Sequence, residues 1–169
     1  MKHQKEIGRK IIPNSINLSR TDFDSCDIVS EICRRVDKAE IPRECLAIEI
    51  TESMLGQDEA FVEKQILRFQ ELGFDVWMDD FGSGYSSLNI LQNVSFDLIK
   101  FDMRFVHQIE NSKAGRIILS QMIKMVGDLG MDTLAEGVET QEQVDLLHKY
   151  GCSKLQGYFY SCAVPYAEG

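Results

Sequence analysis

Several features that mark membrane proteins, disulfide-stabilised proteins and zinc proteins are missing from this sequence. No apolar run is long enough to cross a bilayer and the start does not resemble a signal peptide, so no direct membrane insertion is expected. The five cysteines contain no CxxC pair, so neither a disulfide framework nor a zinc site is predicted. A cytoplasmic location fits this composition best. A domain that derives from a membrane-attached signalling protein is compatible with this location.

Positive charge is also in short supply. The chain has 18 Lys and Arg residues against 27 Asp and Glu residues, which gives a formal net charge of −9. This charge argues against general affinity for nucleic acid polymers, whose phosphates are repelled unless a local patch or bound cations reverse the sign, and metal ions should help the chain to bind phosphate. The segment FGSGYSSL at 81–88 lacks the GK[ST] ending of a phosphate-binding loop.

The length and the hydrophobic pattern predict one α/β domain. With 169 residues and 44% hydrophobic content, residues 1–169 can form a single core. Six short β-type runs, each ending in polar residues, lie at 11–19, 45–53, 74–80, 97–102, 132–137 and 154–159. Helical patterns lie between most of these runs, and this alternation predicts a mostly parallel sheet.

Two long intervals show clear helical spacing. The segments 58–73 and 112–130 are both predicted to be helices. The buried face of the second is predicted to consist of Ile118, Met122, Met125 and Leu129. Thr140 and Gln143 have the spacing of a capping box and predict the start of the last helix.

Polar side chains at the strand ends favour a barrel over an open, doubly wound sheet. Both architectures bind ligands at the carboxyl ends of their strands, but a (β/α) TIM-type barrel gathers residues from nearly every strand into one site. The polar groups at these ends are Asn17, Glu49, Glu52, Asp79, Asp80, Lys100, Asp102, Glu136, Glu139 and Gln156. His3, His107 and His148 lie outside this set and are predicted to be surface or packing residues.

The chemistry of this set points to hard cations. Oxygen donors without histidine or cysteine suit Mg²⁺ or Mn²⁺, and sometimes Ca²⁺. Two such ions would clamp a phosphodiester and activate a water molecule. Asp79 and Asp80 are adjacent, so both can bind metal only if the chain turns there or one carboxylate bridges two ions. The alternative to metal binding by this pair is an ordinary turn with an aspartate that caps a helix.

Six motifs together resemble the EAL-domain cyclic di-GMP phosphodiesterases of bacterial signalling. They are INLSR (16–20), IEITES (48–53), DDFGSGYSSL (79–88), FDLIKFD (96–102), LAEGVET (134–140) and QGYF (156–159). The resemblance implies a (β/α) barrel that hydrolyses cyclic di-GMP to linear pGpG with two Mg²⁺ or Mn²⁺ ions.

The resemblance also implies a role for each matching residue. Metal ligation falls to Asn17, Glu49, Asp79, Asp80 and Glu136. Lys100, Glu136 and Glu139 form the catalytic set, with Lys100 assisting the attacking water, while Gln156 and Asp102 are assigned to substrate binding. Glu52 would hold the loop at 81–88, with its Gly82, Gly84, Ser86 and Ser87, a loop that the family uses in dimerisation and signal relay.

This chain departs from the family pattern at both ends. The family domain is longer, and the sequence before Asn17 contains no equivalent of the Glu-Ala-Leu motif, whose glutamate is a metal ligand. YSCAVP stands where the family usually has a lysine-proline pair. About six of the eight βα units are present, so we expect an incomplete barrel whose own activity is weak or nil. A homodimer, or completion by another chain, is expected to cover the exposed strand edges.

Two alternatives to hydrolysis of cyclic di-GMP remain open at this point. The first is a catalytically inactive EAL-like module that binds cyclic di-GMP or a protein partner. The second is a metal-dependent (β/α) enzyme that acts on another phosphate ester.

Overall fold

The structure, a computed structural model, describes residues 13–55, 59–82 and 87–162, and six strands alternate there with helices. The strands are β1 (Asn14–Leu18), β2 (Leu46–Thr51), β3 (Asp75–Phe81), β4 (Leu98–Phe101), β5 (Asp132–Ala135) and β6 (Lys154–Leu155). The helices are α1 (Arg20–Ser25), α2 (Ile28–Lys38), α3 (Glu52–Leu55), α4 (Glu59–Glu71), α5 (Ser87–Asn93), α6 (Met103–Asn111), α7 (Lys113–Asp128) and α8 (Gln141–Tyr150), and a 3₁₀ turn covers Arg43–Cys45. Each predicted strand segment overlaps one observed strand, so the predicted α/β alternation is confirmed.

The described residues divide into two compact units. The first unit runs to Asp79 and resumes at Ser87–Asp97, and the second contains Asp80–Gly82 and everything from Leu98 onward. The last two residues of β3 therefore belong to the second unit. The prediction that residues 1–169 form a single domain stays a prediction.

In the first unit, β1, β2 and β3 are neighbours and run parallel. Every residue of β2 from Leu46 to Ile50 is buried, whereas Asn14, Ser15 and Asn17 of β1 are exposed. Helix α2 covers the sheet with Val29, Ile32 and Val36, and α4 does so with Val62, Ile66 and Phe69, which are at most 7% exposed. These side chains follow the i, i+3, i+4 spacing that places apolar residues on one helix face.

In the second unit, β4 pairs with β5 and β5 pairs with β6, again parallel. All of β4 is buried. Thr133 and Ser153 fasten the start of β6 to β5 by reciprocal hydrogen bonds, because the Thr133 N–H donates to Ser153 Oγ at 2.8 Å and the Ser153 N–H donates to Thr133 Oγ1 at 2.9 Å. The capping box predicted at Thr140 and Gln143 is confirmed at the start of α8.

The predicted buried face of helix α7 is wrong. Ile118 and Leu129 are 50% and 49% exposed. The buried residues of this helix are Gly115, Leu119, Ile123 and Val126. The helix carries two adjacent apolar stripes of similar spacing, and packing within the second unit selects the one that begins at the small Gly115.

No helix in the described ranges is both long enough and apolar enough to cross a bilayer.

Candidate active site

The strand register of the first unit places three predicted metal ligands on one face of its sheet. Asn17 lies beside Glu49, and Glu49 lies beside Trp77. Asp79 follows Trp77 by two residues and lies beside Thr51. Because side chains alternate along a strand and neighbours in register share a face, Asn17, Glu49 and Asp79 share one face. The two carboxylates and the amide thus lie at the carboxyl ends of three adjacent strands.

Burial argues that Glu49 is more than a solvated loop residue. Its side chain lies in the buried stretch of β2 and is 4% exposed, whereas Asp79 is half-buried and Asn17 is exposed. A buried carboxylate is costly unless polar or charged groups accompany it, so such residues are rare outside functional or paired positions. Glu52, the first residue of α3, is also buried, at 5% exposure.

In the second unit, the predicted catalytic lysine forms an ion pair with a predicted metal ligand. Lys100 Nζ lies 2.9 Å from Glu136 Oε1, and the two side chains are 8% and 24% exposed. Lys100 lies beside Leu134, two residues before Glu136, so the register directs both charges to the same face. A charge pair shielded from water is held more tightly than one at the surface, which fixes the direction of the ammonium group.

Asp102 binds the start of helix α6 and an arginine. Its Oδ1 accepts hydrogen bonds from the backbone N–H of Arg104 at 2.7 Å and from Arg104 Nε at 2.9 Å. The hydrogen bond from the Arg104 side chain is the largest cause that lowers the pKa of Asp102, and contact with the Asp80 carboxyl adds to the lowering. The same pair raises the pKa of Arg104, with a further contribution from the nearby charge of Asp80.

Asp80 has an unusual backbone conformation for a residue of β3. Its φ angle is 56°, in the left-handed region that few residues other than glycine adopt. Asp and Asn are the least disfavoured of the other residues there. The positive φ lies within β3, which continues to Phe81, so it distorts the backbone of the strand there. That Asp79 and Asp80 both bind metal stays a prediction.

Two further predicted residues lie close to the end of β5. The backbone of Gln156 is fixed there, since its N–H donates to Ala135 O at 2.9 Å and its carbonyl accepts from the Val138 N–H at 3.0 Å. Glu139 Oε1 lies 3.9 Å from His107 Nε2, and both side chains are more than two-fifths exposed. The exposure agrees with the surface role predicted for His107, although its position beside Glu139 was not foreseen.

The structure describes only part of the predicted regulatory loop. Gly82 packs against the ring of Phe105 so closely that a Cβ atom would collide with it. Gly84 and Ser86 lie outside the described residues, and Ser87 opens α5 without a described side chain. The predicted interaction between Glu52 and a serine of this loop stays a prediction.

The donor set fits a hard cation in type. The first unit presents an amide and two carboxylates, and oxygen donors of this kind suit Mg²⁺ or Mn²⁺. Among the described residues, however, no group of three or more His, Cys, Asp or Glu side chains is arranged as a metal site by itself. The strand ends thus supply oxygen donors of a suitable type, but the described carboxylates do not form a metal site by themselves.

A comparison with known protein families identifies the family of this chain. Residues 1–163 match the EAL domain. The chain belongs to the EAL-domain family. This EAL domain is 33% identical over 144 residues to cyclic di-GMP phosphodiesterase PA2567 of Pseudomonas aeruginosa, an alignment that covers 85% of this chain and 24% of that protein.

Solved structures share the fold of this EAL domain. PaMucR phosphodiesterase in complex with c-di-GMP matches with a TM-score of 0.90 and 26% identity, over 99% of this chain and 68% of that one. Klebsiella pneumoniae BlrP1 in a complex with manganese and cyclic di-GMP matches with a TM-score of 0.85 and 27% identity, over 94% of this chain and 41% of that one. The predicted α/β TIM-type fold with its six parallel strands is confirmed.

This EAL domain spans about a quarter or less of the length of the curated relatives that it matches, for example 24% and 22% of two of them.

Sequence reasoning overlooked Arg104, which binds Asp102 and lies near Asp80. The available signal was the position of this arginine. It lies two residues after Asp102, an aspartate at a strand end that caps the following helix.

Proposed function

We propose that this chain is a metal-dependent phosphodiesterase domain that hydrolyses cyclic di-GMP to linear pGpG. The observation that carries the proposal is the shielded ion pair of Lys100 and Glu136, 2.9 Å apart at the ends of β4 and β5 of an EAL domain. The named relatives support the choice of substrate, because PA2567 is a cyclic di-GMP phosphodiesterase and PaMucR and BlrP1 were solved with this ligand.

The proposed metal ligands are Asn17, Glu49, Asp79, Asp80 and Glu136. The assignment rests on the family motifs, on the shared face of the three ligands in the first unit, and on their oxygen donors. Manganese in the BlrP1 complex supports Mn²⁺ or Mg²⁺ as the cofactor. When bound, such ions lower the pKa of a water molecule and stabilise charge on the phosphate.

The residues of the chain would then direct the reaction. The oxygen of a water molecule forms a bond to phosphorus, one ester P–O bond breaks, and the departing oxygen takes up a proton. Lys100, held in direction by Glu136, orients the attacking water and offsets negative charge on the phosphate. Glu139, Gln156 and Asp102 line the substrate site in this proposal, and Glu52 supports the loop at 81–88.

The decisive experiment follows conversion of cyclic di-GMP to pGpG by chromatography in the presence of Mn²⁺. Wild type is expected to form product only when metal is present, and Asp79→Asn is expected to form none. Asp128→Asn serves as the matched control, because Asp128 is an exposed aspartate in an ion pair with Lys124. Equal turnover by wild type and Asp79→Asn would disprove the proposal.

A second candidate is an EAL domain that binds cyclic di-GMP without cleaving it. It is supported by the solved relatives PaMucR and BlrP1, which contain c-di-GMP as a bound ligand. Calorimetric titration that finds nucleotide binding, combined with chromatography that finds no pGpG, would select this candidate. Association with a second copy or another chain is proposed in both cases, and the exposed strand β1 supports it.

A further inference from the structure

One buried side chain holds the backbone of the loop that joins β5 to α8. Gln143 Oε1 accepts two consecutive N–H groups of this loop, that of Glu139 at 2.7 Å and that of Thr140 at 3.1 Å. The bond to Thr140 belongs to the capping box of α8. The shorter bond lies one residue outside that motif and reaches Glu139, a residue of the proposed site.

The bond to Glu139 comes from inside the second unit. Gln143 is 2% exposed, whereas the side chain of Glu139 is 48% exposed. Water cannot readily replace an acceptor that is buried to this extent, and an N–H group that loses such an acceptor is costly. The backbone of Glu139 is therefore held by a buried oxygen while its carboxylate stays accessible to a ligand.

The residues on both sides of Glu139 are also fixed. The Val138 N–H donates to the carbonyl of Gln156 at 3.0 Å. Thr140 Oγ1 donates to Glu110 Oε1 of helix α6 at 2.6 Å. The loop is thus held before and after Glu139 by other elements, and Gln143 supplies the contact at Glu139 itself.

We propose that Gln143 is a positioning residue, whose side-chain oxygen fixes the backbone of Glu139 and thereby the direction of the Glu139 carboxylate. The proposal deepens the proposed function, on which it rests, because Glu139 is assigned there to the substrate site. Gln143 touches neither substrate nor metal in this account. A small displacement of a group that contacts the substrate can lower the rate strongly.

The competing explanation is that Gln143 only caps helix α8. Gln143→Met keeps the length of the side chain but removes the acceptor from both N–H groups. Gln143→Glu keeps acceptor oxygens at the third helical position, where capping boxes use glutamate as well as glutamine. The two variants separate the loss of the acceptor from the loss of the amide group.

The first test measures amide hydrogen exchange by NMR on the full chain, without substrate or metal. Gln143→Met is expected to accelerate exchange at Glu139 and Thr140 about tenfold or more, because both amides lose their acceptor. The amide of Val138 keeps its bond to Gln156 and should keep its exchange rate. Unchanged exchange at Glu139, or equal acceleration at Val138, would overturn the proposal.

The second test measures kcat for cyclic di-GMP with Mn²⁺ in a double-mutant cycle. Gln143→Met is expected to lower kcat about tenfold or more in the wild-type chain, and Gln143→Glu to recover most of it. In a Glu139→Gln background the same Met substitution should lower kcat by about twofold at most, since the carboxylate that it misplaces is gone. Losses that simply multiply would indicate a capping role alone and would overturn the proposal.

Ser112→Ala is the matched control for the kinetic test. Ser112 Oγ accepts the Gly115 N–H at 3.0 Å at the start of α7, so the variant removes an N-cap of the same unit. Its kcat is expected to stay within about twofold of wild type, and a loss as large as that of Gln143→Met would overturn the proposal. If wild type forms no pGpG, the proposed hydrolysis fails, and hydrogen exchange alone decides whether Gln143 holds Glu139.

Discussion

The two units place polar residues at the ends of their strands in different electrostatic settings. In the first unit, Asn17, Glu49 and Asp79 bring acceptor oxygens to one face of neighbouring strands. In the second unit, acids are matched with cations, since Lys100 pairs with Glu136 at 2.9 Å and Arg104 pairs with Asp102 at 2.9 Å. Both units thus place polar residues where parallel strands end, with a register that gathers oxygen donors in the first unit and with two ion pairs in the second.

This difference suggests that the two units have different roles in the proposed function. Acceptor oxygens side by side suit a cation that comes from solution, whereas an internal ion pair fixes the direction of its own charged groups. We infer that Asn17, Glu49 and Asp79 of the first unit serve as metal ligands, and that Lys100 of the second unit orients water and phosphate beside the assigned ligands Asp80 and Glu136 of its own unit. Separate measurements of metal binding and of turnover test whether the two units have these different roles.

The largest effect is expected for Lys100→Met. Turnover of cyclic di-GMP should fall about 100-fold or more, because the group that orients water is gone, while Mn²⁺ binding stays near that of wild type. Chromatography of pGpG and calorimetry with Mn²⁺ measure the two quantities. Lys124→Met is the control, since Lys124 is an exposed lysine of the same unit that pairs with Asp128.

A loss of Mn²⁺ binding in Lys100→Met would contradict the role proposed for Lys100. The lysine would then support the metal site through Glu136, its ion-pair partner and an assigned ligand, instead of acting on water and phosphate.

The next effect concerns Glu49→Gln in the first unit. Mn²⁺ at 100 times its dissociation constant should stabilise wild type by about 2.7 kcal/mol, because the ion binds only the folded chain. The variant should lose most of this stabilisation, which thermal unfolding with and without Mn²⁺ measures. Glu44→Gln replaces an exposed glutamate of the same unit and should keep it. A full metal-induced shift in Glu49→Gln would remove this residue from the ligand set.

The smallest effects compare one glycine from each unit. Gly137 has a φ angle of 70°, and a Cβ atom there would lie 2.5 Å from Met103 Cβ, whereas Gly73 has a φ angle of 85° with open space around it. Gly73→Ala should cost about 1 kcal/mol from backbone strain alone, and Gly137→Ala about 2 kcal/mol, because crowding adds to the strain. Urea unfolding of both variants measures the difference, and equal losses would show that the loop after β5 adjusts freely.

The success and failure of the helix predictions have a common physical origin. The capping box at Thr140 and Gln143 was predictable because its partners lie three residues apart in the sequence. The buried face of α7 was not, because the helix has two apolar stripes of equal period. Only packing against other elements buries Leu119 and leaves Ile118 50% exposed.

The sequence by itself determined the alternation of strands and helices, the EAL family, and which polar groups end the strands, since period and motif are local properties of the chain. Tertiary structure decided which charges meet. The 2.9 Å pair of Lys100 and Glu136 depends on the register of two strands that are distant in sequence. The hydrogen bonds between Thr133 and Ser153 likewise join residues 20 positions apart.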